Sequence, residues 1–170
     1  VYVSPAGAHV PPFATWANAA TDIQSAVDAA LPGGRVLATN GIYETGATTN
    51  CPAGSALAAR VAVRRPLRLE SVNGPAATVI RGAWNPGTTN GAGAVRCLYL
   101  TNGATVAGFT LEGGATGTNG TILTTRTGGG AWCDGTGAVL SNCVVAGNVS
   151  DYYAGGVYGG TCVDCAVASN

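Results

Sequence analysis

Lysine and methionine do not occur in this chain, histidine occurs once, and only 9% of the 170 residues are charged. Eight arginines and eight acids cancel to a formal net charge of zero. So sparse and balanced a charge excludes the basic footprint with which a nucleic-acid binder meets phosphate. No run approaches the roughly eighteen uninterrupted apolar residues of a membrane-crossing helix, so insertion by that route is excluded too. The one histidine, His9, lies in a Pro/Gly-rich opening segment and reads as a surface residue, and no Gly-x-Ser-x-Gly nucleophile turn is present. The acids offer little to a hard cation. Calcium asks for six to eight oxygens, several from carboxylates, and no two of the eight acids stand within four positions of each other.

What the chain does have is a repeat. Residues 140–148, LSNCVVAGN, return 22 positions later as CVDCAVASN at 162–170, and VAGFTLEGG at 106–114 is a more divergent copy. Glycine-aromatic runs, GGGAW at 128–132 and AGGVY at 154–158, precede the last two copies. Aligning the copies stacks Val106/Leu140/Cys162, Phe109/Cys143/Cys165 and Leu111/Val145/Val167 in apolar columns, with Trp132 over Tyr158 and Asn148 over Asn170. Short β-runs repeated at this period, with Gly/Asn turns between them, predict a solenoid in which each coil buries its face on the next. From residue 35 on, the runs 35–43, 60–72, 77–82, 94–100 and 104–111 carry β-branched alternation. Five Asn-Gly pairs punctuate them at positions where tight corners require a positive φ. Asn148 and Asn170 are expected at such left-handed corners.

The first 34 residues differ. A short extended start leads to 21–31, TDIQSAVDAAL, the one convincing helix. Thr21 and Gln24 have capping-box spacing, Ile23, Val27, Ala30 and Leu31 share a face, and Pro32-Gly33-Gly34 ends the element. Placed just before the strands, this helix is expected to cover the open end of the core. The expectation is therefore one all-β domain over 1–170: a cap at 1–34, then about five coils over 35–170, a stack on the order of 25 Å long. The pattern stops at Asn170 with no capping sequence. That predicts an open edge, met by further coils of the same polypeptide or by another copy.

The opening phrases carry a resemblance. Tyr2–Pro5, Trp16, Ile23–Ala29, Gly41 and Tyr43 are similar to the N-terminal start of right-handed parallel β-helix proteins of the pectin-lyase-like superfamily. Later Gly-Gly-Gly-x-Trp and Ser-Asn-Cys-x-Val-x-Gly-Asn phrases resemble coils of its large secreted or surface repeat proteins. The resemblance implies a right-handed parallel β-helix, and it spans nearly the whole chain. It says little of activity, because that fold hosts lyases, hydrolases, adhesins and inert stalks. The Asn-Thr-Asp, Asp-Asp and Gly-His-Gly phrases of its galacturonase-type hydrolases are missing here.

Two functional readings follow. The first is a non-catalytic scaffold, stalk or self-assembling filament unit of a secreted or cell-surface protein, with no catalytic residues, cofactor or metal. Surfaces rich in Thr, Asn, Gly and Ala and poor in charge suit that location, and six cysteines permit an oxidising compartment. The second is a carbohydrate-active module, an acidic-polysaccharide lyase or glycan binder. Strict alternation turns Val61, Val63, Leu67 and Leu69 inward and Arg60, Arg64 and Arg68 outward. With Arg96 and Trp84 they would offer a face for an acidic glycan, or else a solvated face that blunts lateral association. Three segments, 44–59, 82–93 and 114–130, are too long for corners and are where function would reside. Cys143 and Cys165, one coil apart at about 4.8 Å, are within disulfide range or stack as free thiols, and Cys51 is placed to staple its loop to Cys97. Cys162-Val-Asp-Cys165 has the spacing of a redox or zinc pair, but no second pair or histidine accompanies it.

Overall fold

A computed structural model describes all residues, 1–170. Its strands are β1 (Tyr2–Val3), β2 (Arg35–Ala38), β3 (Gly41–Tyr43), β4 (Ala58–Val63), β5 (Arg68–Ser71), β6 (Thr78–Arg81), β7 (Val95–Leu100) and β8 (Thr105–Ala107). Then come β9 (Thr110–Glu112), β10 (Ala131–Cys133), β11 (Val139–Ser141), β12 (Val144–Ala146), β13 (Val157–Tyr158), β14 (Thr161–Val163) and β15 (Ala166–Ala168). They form three parallel sheets: A in the order β1-β2-β5-β8-β11-β14, B in the order β3-β6-β9-β12-β15, and C in the order β4-β7-β10-β13. The chain visits A, B and C in turn, so each circuit is one coil of a parallel β-solenoid. Four circuits are complete, and β14 and β15 begin another.

The columns read from the repeat are the registers of the sheets. Val106 pairs with Leu140 and Leu140 with Cys162, while Leu111 pairs with Val145 and Val145 with Val167. Backbone bonds from Val144 N–H to Phe109 O and from Ala166 N–H to Cys143 O stack Phe109, Cys143 and Cys165. The inward columns fuse into one core running the length of the stack. No helix is long and apolar enough to cross a membrane.

Coil length varies. Register partners Arg35, Arg68, Thr105, Val139 and Thr161 on sheet A are separated by 33, 37, 34 and 22 residues. The longest connections run from the sheet B strand to the sheet C strand, in loops 44–57, 82–94 and 113–130, against 147–156 in the last coil; the second coil also lengthens the turn between sheets A and B, 72–77 against 39–40 in the first. The loops between sheets B and C fold back over the outer face of sheet C. Thr48 pairs antiparallel with Ala59, Ala83 with Val95, and Thr127 lies against Tyr153. Sheet C is thus covered on both faces. Ala59, Ala62, Tyr99 and Trp132, which point away from the solenoid core, form a second buried cluster with Cys51 from the first loop.

The N-terminal cap is present with different details. The helix, α1, runs Ile23–Ala29, and its N-cap is Asp22, whose carboxylate accepts from Ser25 N–H. Thr21 is drawn away instead: its hydroxyl and backbone N–H both bond to His9 Nδ1, and His9 is exposed, as the sequence implied. Gln24 does not close a capping box. Its carboxamide accepts from Ala62 N–H at 2.7 Å and donates to Ala62 O at 3.3 Å, serving the free edge of β4 as a preceding strand would. Leu31 falls beyond the helix and is exposed, while Ala30 takes the buried place. Gln24→Leu is expected to lower stability by about 1–2 kcal/mol, because it leaves both Ala62 groups unpaired near the core. Urea unfolding checks this, and an unchanged midpoint would mean the cap is anchored elsewhere.

The corners need one correction as well. The left-handed residues between sheets B and C are Gly113, Gly147 and Ser169, one position before the asparagine column. Asn148 and Asn170 stack as expected, but at extended or right-handed backbone, with side chains turned into the corner. Between sheets A and B the left-handed column is Gly108, Asn142 and Asp164.

Candidate functional site in the loop layer

The loops over sheet C decide where the arginines go. In β4, Val61 and Val63 face the main core while Ala59 and Ala62 face the outer cluster, so alternation slips by one at Arg60. In β7 the same slip puts consecutive Cys97 and Leu98 into the core. Arg60 and Cys97, opposite each other, drop out of an otherwise continuous register, so the two strands kink together at that pair. Arg60 therefore turns into the corner between sheets B and C rather than outward. It donates to the carbonyls of Gly46, Arg81 (2.8 Å) and Gly82 (3.3 Å).

Arg96 follows its strand outward and is nevertheless 0% exposed, because the loops close over it. Nη1 donates to Cys51 O at 3.3 Å, and Nη2 donates to Thr124 O at 2.7 Å and Thr127 O at 3.0 Å. One guanidinium thus ties the first loop to the third across the intervening coil; Nε alone lacks a partner. Burial lowers its pKa to about 10, which leaves it a cation at neutral pH. Of the arginines expected on one binding face, two are consumed inside the molecule.

The other two stand apart. Arg64 is exposed just beyond β4 and donates to Thr48 Oγ1 at 2.8 Å and Thr49 O at 2.7 Å. Arg68 lies around the corner on sheet A, where it and Arg35 share Glu70. Burial alone would raise the Glu70 pKa, but hydrogen bonds from Arg68 and Arg35 hold it below the usual value. On sheet B, Arg81 bridges Glu44 and Glu112, and Arg126 pairs with Asp151 on the loops.

The aromatic ladder is longer than the repeat implies. Trp132 lies between Tyr99 and Tyr158, with ring centroids at 5.7 and 5.8 Å, and its indole N–H donates to Leu123 O at 2.7 Å. Tyr99 escaped the sequence pattern because its coil lacks the Gly-Gly-x-aromatic phrase. These rings are covered by the loops and serve packing. Trp84 (54% exposed), Tyr152 and Tyr153 are the aromatics that face solvent on the same layer. A cavity of about 150 Å³ opens between the first three loops, walled by Leu57, Gly91, Ala92, Thr118, Asn119 and Thr125. It holds no charged side chain, so its chemistry is limited to small neutral groups.

All six cysteines are free. The expected staple between Cys51 and Cys97 is not made. Cys51 belongs to the outer cluster and donates to Thr48 O, whereas Cys97 lies in the core and donates to Glu112 O and Asn148 Oδ1. Sheet C separates the two clusters. Comparison with family models, curated proteins and solved structures returns no match.

Proposed function

We propose that this chain is a non-catalytic β-solenoid module, a scaffold or stalk segment of a secreted or cell-surface protein that stacks on like coils at its β13-β14-β15 edge. One observation carries the reading: every one of the eight arginines is bonded to the chain itself. Four pair with carboxylates, and Arg60, Arg64, Arg65 and Arg96 donate to backbone carbonyls. The cations that would bind an acidic substrate or withdraw a proton hold coils and loops together instead. At the edge, Ala166 N–H donates back to Cys143 O. Alternation then aims Val167 N–H away from the stack, free to pair with a like coil from further along the polypeptide or from a second copy.

Sedimentation velocity over a concentration series tests the assembly. Species that grow with concentration and disappear in Val167→Pro are expected; a monomer at every concentration would remove self-association. Acidic polysaccharides are expected to yield no unsaturated products. A second reading, a glycan-binding module, draws on exposed Trp84, Tyr152 and Tyr153, whose flat faces suit pyranose rings. Binding on a glycan panel that is lost in Trp84→Ala would favour it over the scaffold.

A further inference from the structure

Four of the six thiols gather around the last two coils, and three of them line one corner. Cys143 and Cys165 each follow a left-handed residue, Asn142 (φ 49°) and Asp164 (φ 52°), which turns the chain so that the next side chain points inward. Their thiols repeat the same bond. Cys143 donates to Ser141 O and Cys165 to Val163 O, both at 3.3 Å, so the two side chains share a rotamer one coil apart. Register partners on either side, Ser141 with Val163 and Val144 with Ala166, hold their backbones at the coil spacing. That spacing, about 4.8 Å, lies within the Cα range of a disulfide, and closing the bridge asks both side chains to leave the rotamer they share. Cys162 occupies the same corner from sheet A, in the inward column above Leu140.

Access differs across the three. Cys143 is buried, Cys165 is half-buried and Cys162 is exposed. Cys143 cannot meet an outside oxidant directly; Cys162 can, and Cys165 stands between them.

We propose that Cys143 and Cys165 form a disulfide between successive coils, reached by exchange through Cys162. The co-reactant is a low-molecular-weight disulfide. The Cys162 thiolate attacks one of its sulfurs, giving a mixed disulfide and releasing one small thiol. The Cys165 thiolate attacks the Cys162 sulfur and the second small thiol leaves. The Cys143 thiolate then attacks the Cys165 sulfur, and Cys162 departs as thiolate to be reprotonated. In sum two protein thiols are oxidised and one small disulfide is reduced to two thiols. The end state lies between coils because the folded backbone already holds Cys143 and Cys165 in register one coil apart, whereas Cys162 and Cys165 are joined across the tight turn at Asp164. Burial pushes the Cys143 thiol up to about 11 and, with Cys165 beside it, raises Cys162. Since thiolate is the attacking form, bridge formation should quicken as pH rises past neutrality. The inference concerns the chain with its β14 edge uncovered, since like coils stacked there would bury Cys162 and close the exchange route.

The order of aspartates makes the test direct. Cleavage before Asp134, Asp151 and Asp164 puts Cys143, Cys162 and Cys165 on three separate peptides. The folded chain is treated with oxidised glutathione, quenched with acid and mapped. A transient Cys162–Cys165 link that gives way to Cys143–Cys165 is expected. Cys162→Ser should form the final bridge about tenfold more slowly, since the reachable thiol is gone. Cys143→Ser should stop at Cys162–Cys165; should that core variant misfold, Cys165→Ser at the half-buried position must leave Cys143 reduced. A final product that is Cys162–Cys165, or glutathione held on Cys162 alone, would overturn the proposal.

Discussion

Arg96→Ala should destabilise this protein by about 4 kcal/mol, a large share of the 5–15 kcal/mol that holds a domain folded. The loss has two parts. Truncation leaves a cavity under the loop layer, and it strands the carbonyls of Cys51 and Thr127 away from water while Thr124 O keeps only Ser55 Oγ. Bonds from a charged donor are worth about 1.5–3 kcal/mol each, less what the guanidinium itself loses on burial. That offset is real here, since desolvation is what lowers its pKa. Arg96→Met separates the parts: it refills most of the volume but donates nothing, so about 2–3 kcal/mol should remain lost. Denaturant unfolding measures both variants, and hydrogen exchange should quicken at the amides of 48–55 and 124–127 while the sheets stay protected. Complete rescue by methionine would mean that Arg96 is only filler. A loss below about 1 kcal/mol would mean that the loop layer stands without it.

How much of this was readable beforehand differs between the two faces of each strand. The inward face was legible, because the repeat aligns Leu111, Val145 and Val167 residue for residue and the registers follow that alignment. The outer face of sheet C was not. Its cover comes from loops whose bland Thr/Gly/Asn composition says nothing of where they fold. A signal did exist: VRCLYL and AARVAV are near-continuous apolar runs, the pattern of strands buried on both sides. Read so, Arg60 and Arg96 would have been recognised as arginines inside such strands rather than as members of a surface stripe. The slip at Arg60 and Cys97 has no counterpart in local pattern, since a kink shared by two paired strands changes the facing of a residue without changing its sequence neighbours. Asp22 in place of Thr21 as N-cap is a similar case: the hydroxyl was taken by His9, a partner twelve residues away.

Asn148→Leu should cost as much as the arginine, about 4 kcal/mol, although leucine nearly matches the volume. Asn148 is 0% exposed, and every polar atom of its side chain is engaged. Nδ2, with two hydrogens, lies within hydrogen-bond reach of three acceptors, Leu111 O at 2.9 Å, Ala146 O at 3.1 Å and Asn170 Oδ1 at 2.9 Å. Oδ1 accepts from Gly114 N–H at 2.8 Å. Leucine leaves Gly114 N–H and Ala146 O unpaired inside the corner, at about 1–3 kcal/mol each. Asn148→Asp asks a sharper question. A carboxylate can still accept from Gly114 N–H, but against Leu111 O and Ala146 O it must carry a proton to donate. The folded state would therefore hold that proton to a higher pH than the unfolded chain, whose aspartate releases it near about 3.9. Where the folded state binds more protons, stability falls as pH rises. The variant should thus approach wild-type stability in acid and lose ground steadily from about pH 4 toward neutrality. Unfolding midpoints of both proteins over that range measure it, and a constant difference would show that the corner admits water. Asn170 donates to Val145 O and Ala168 O in the same way but is exposed. Asn170→Asp should therefore show the trend only weakly, so that the contrast between the two positions reports burial rather than residue type.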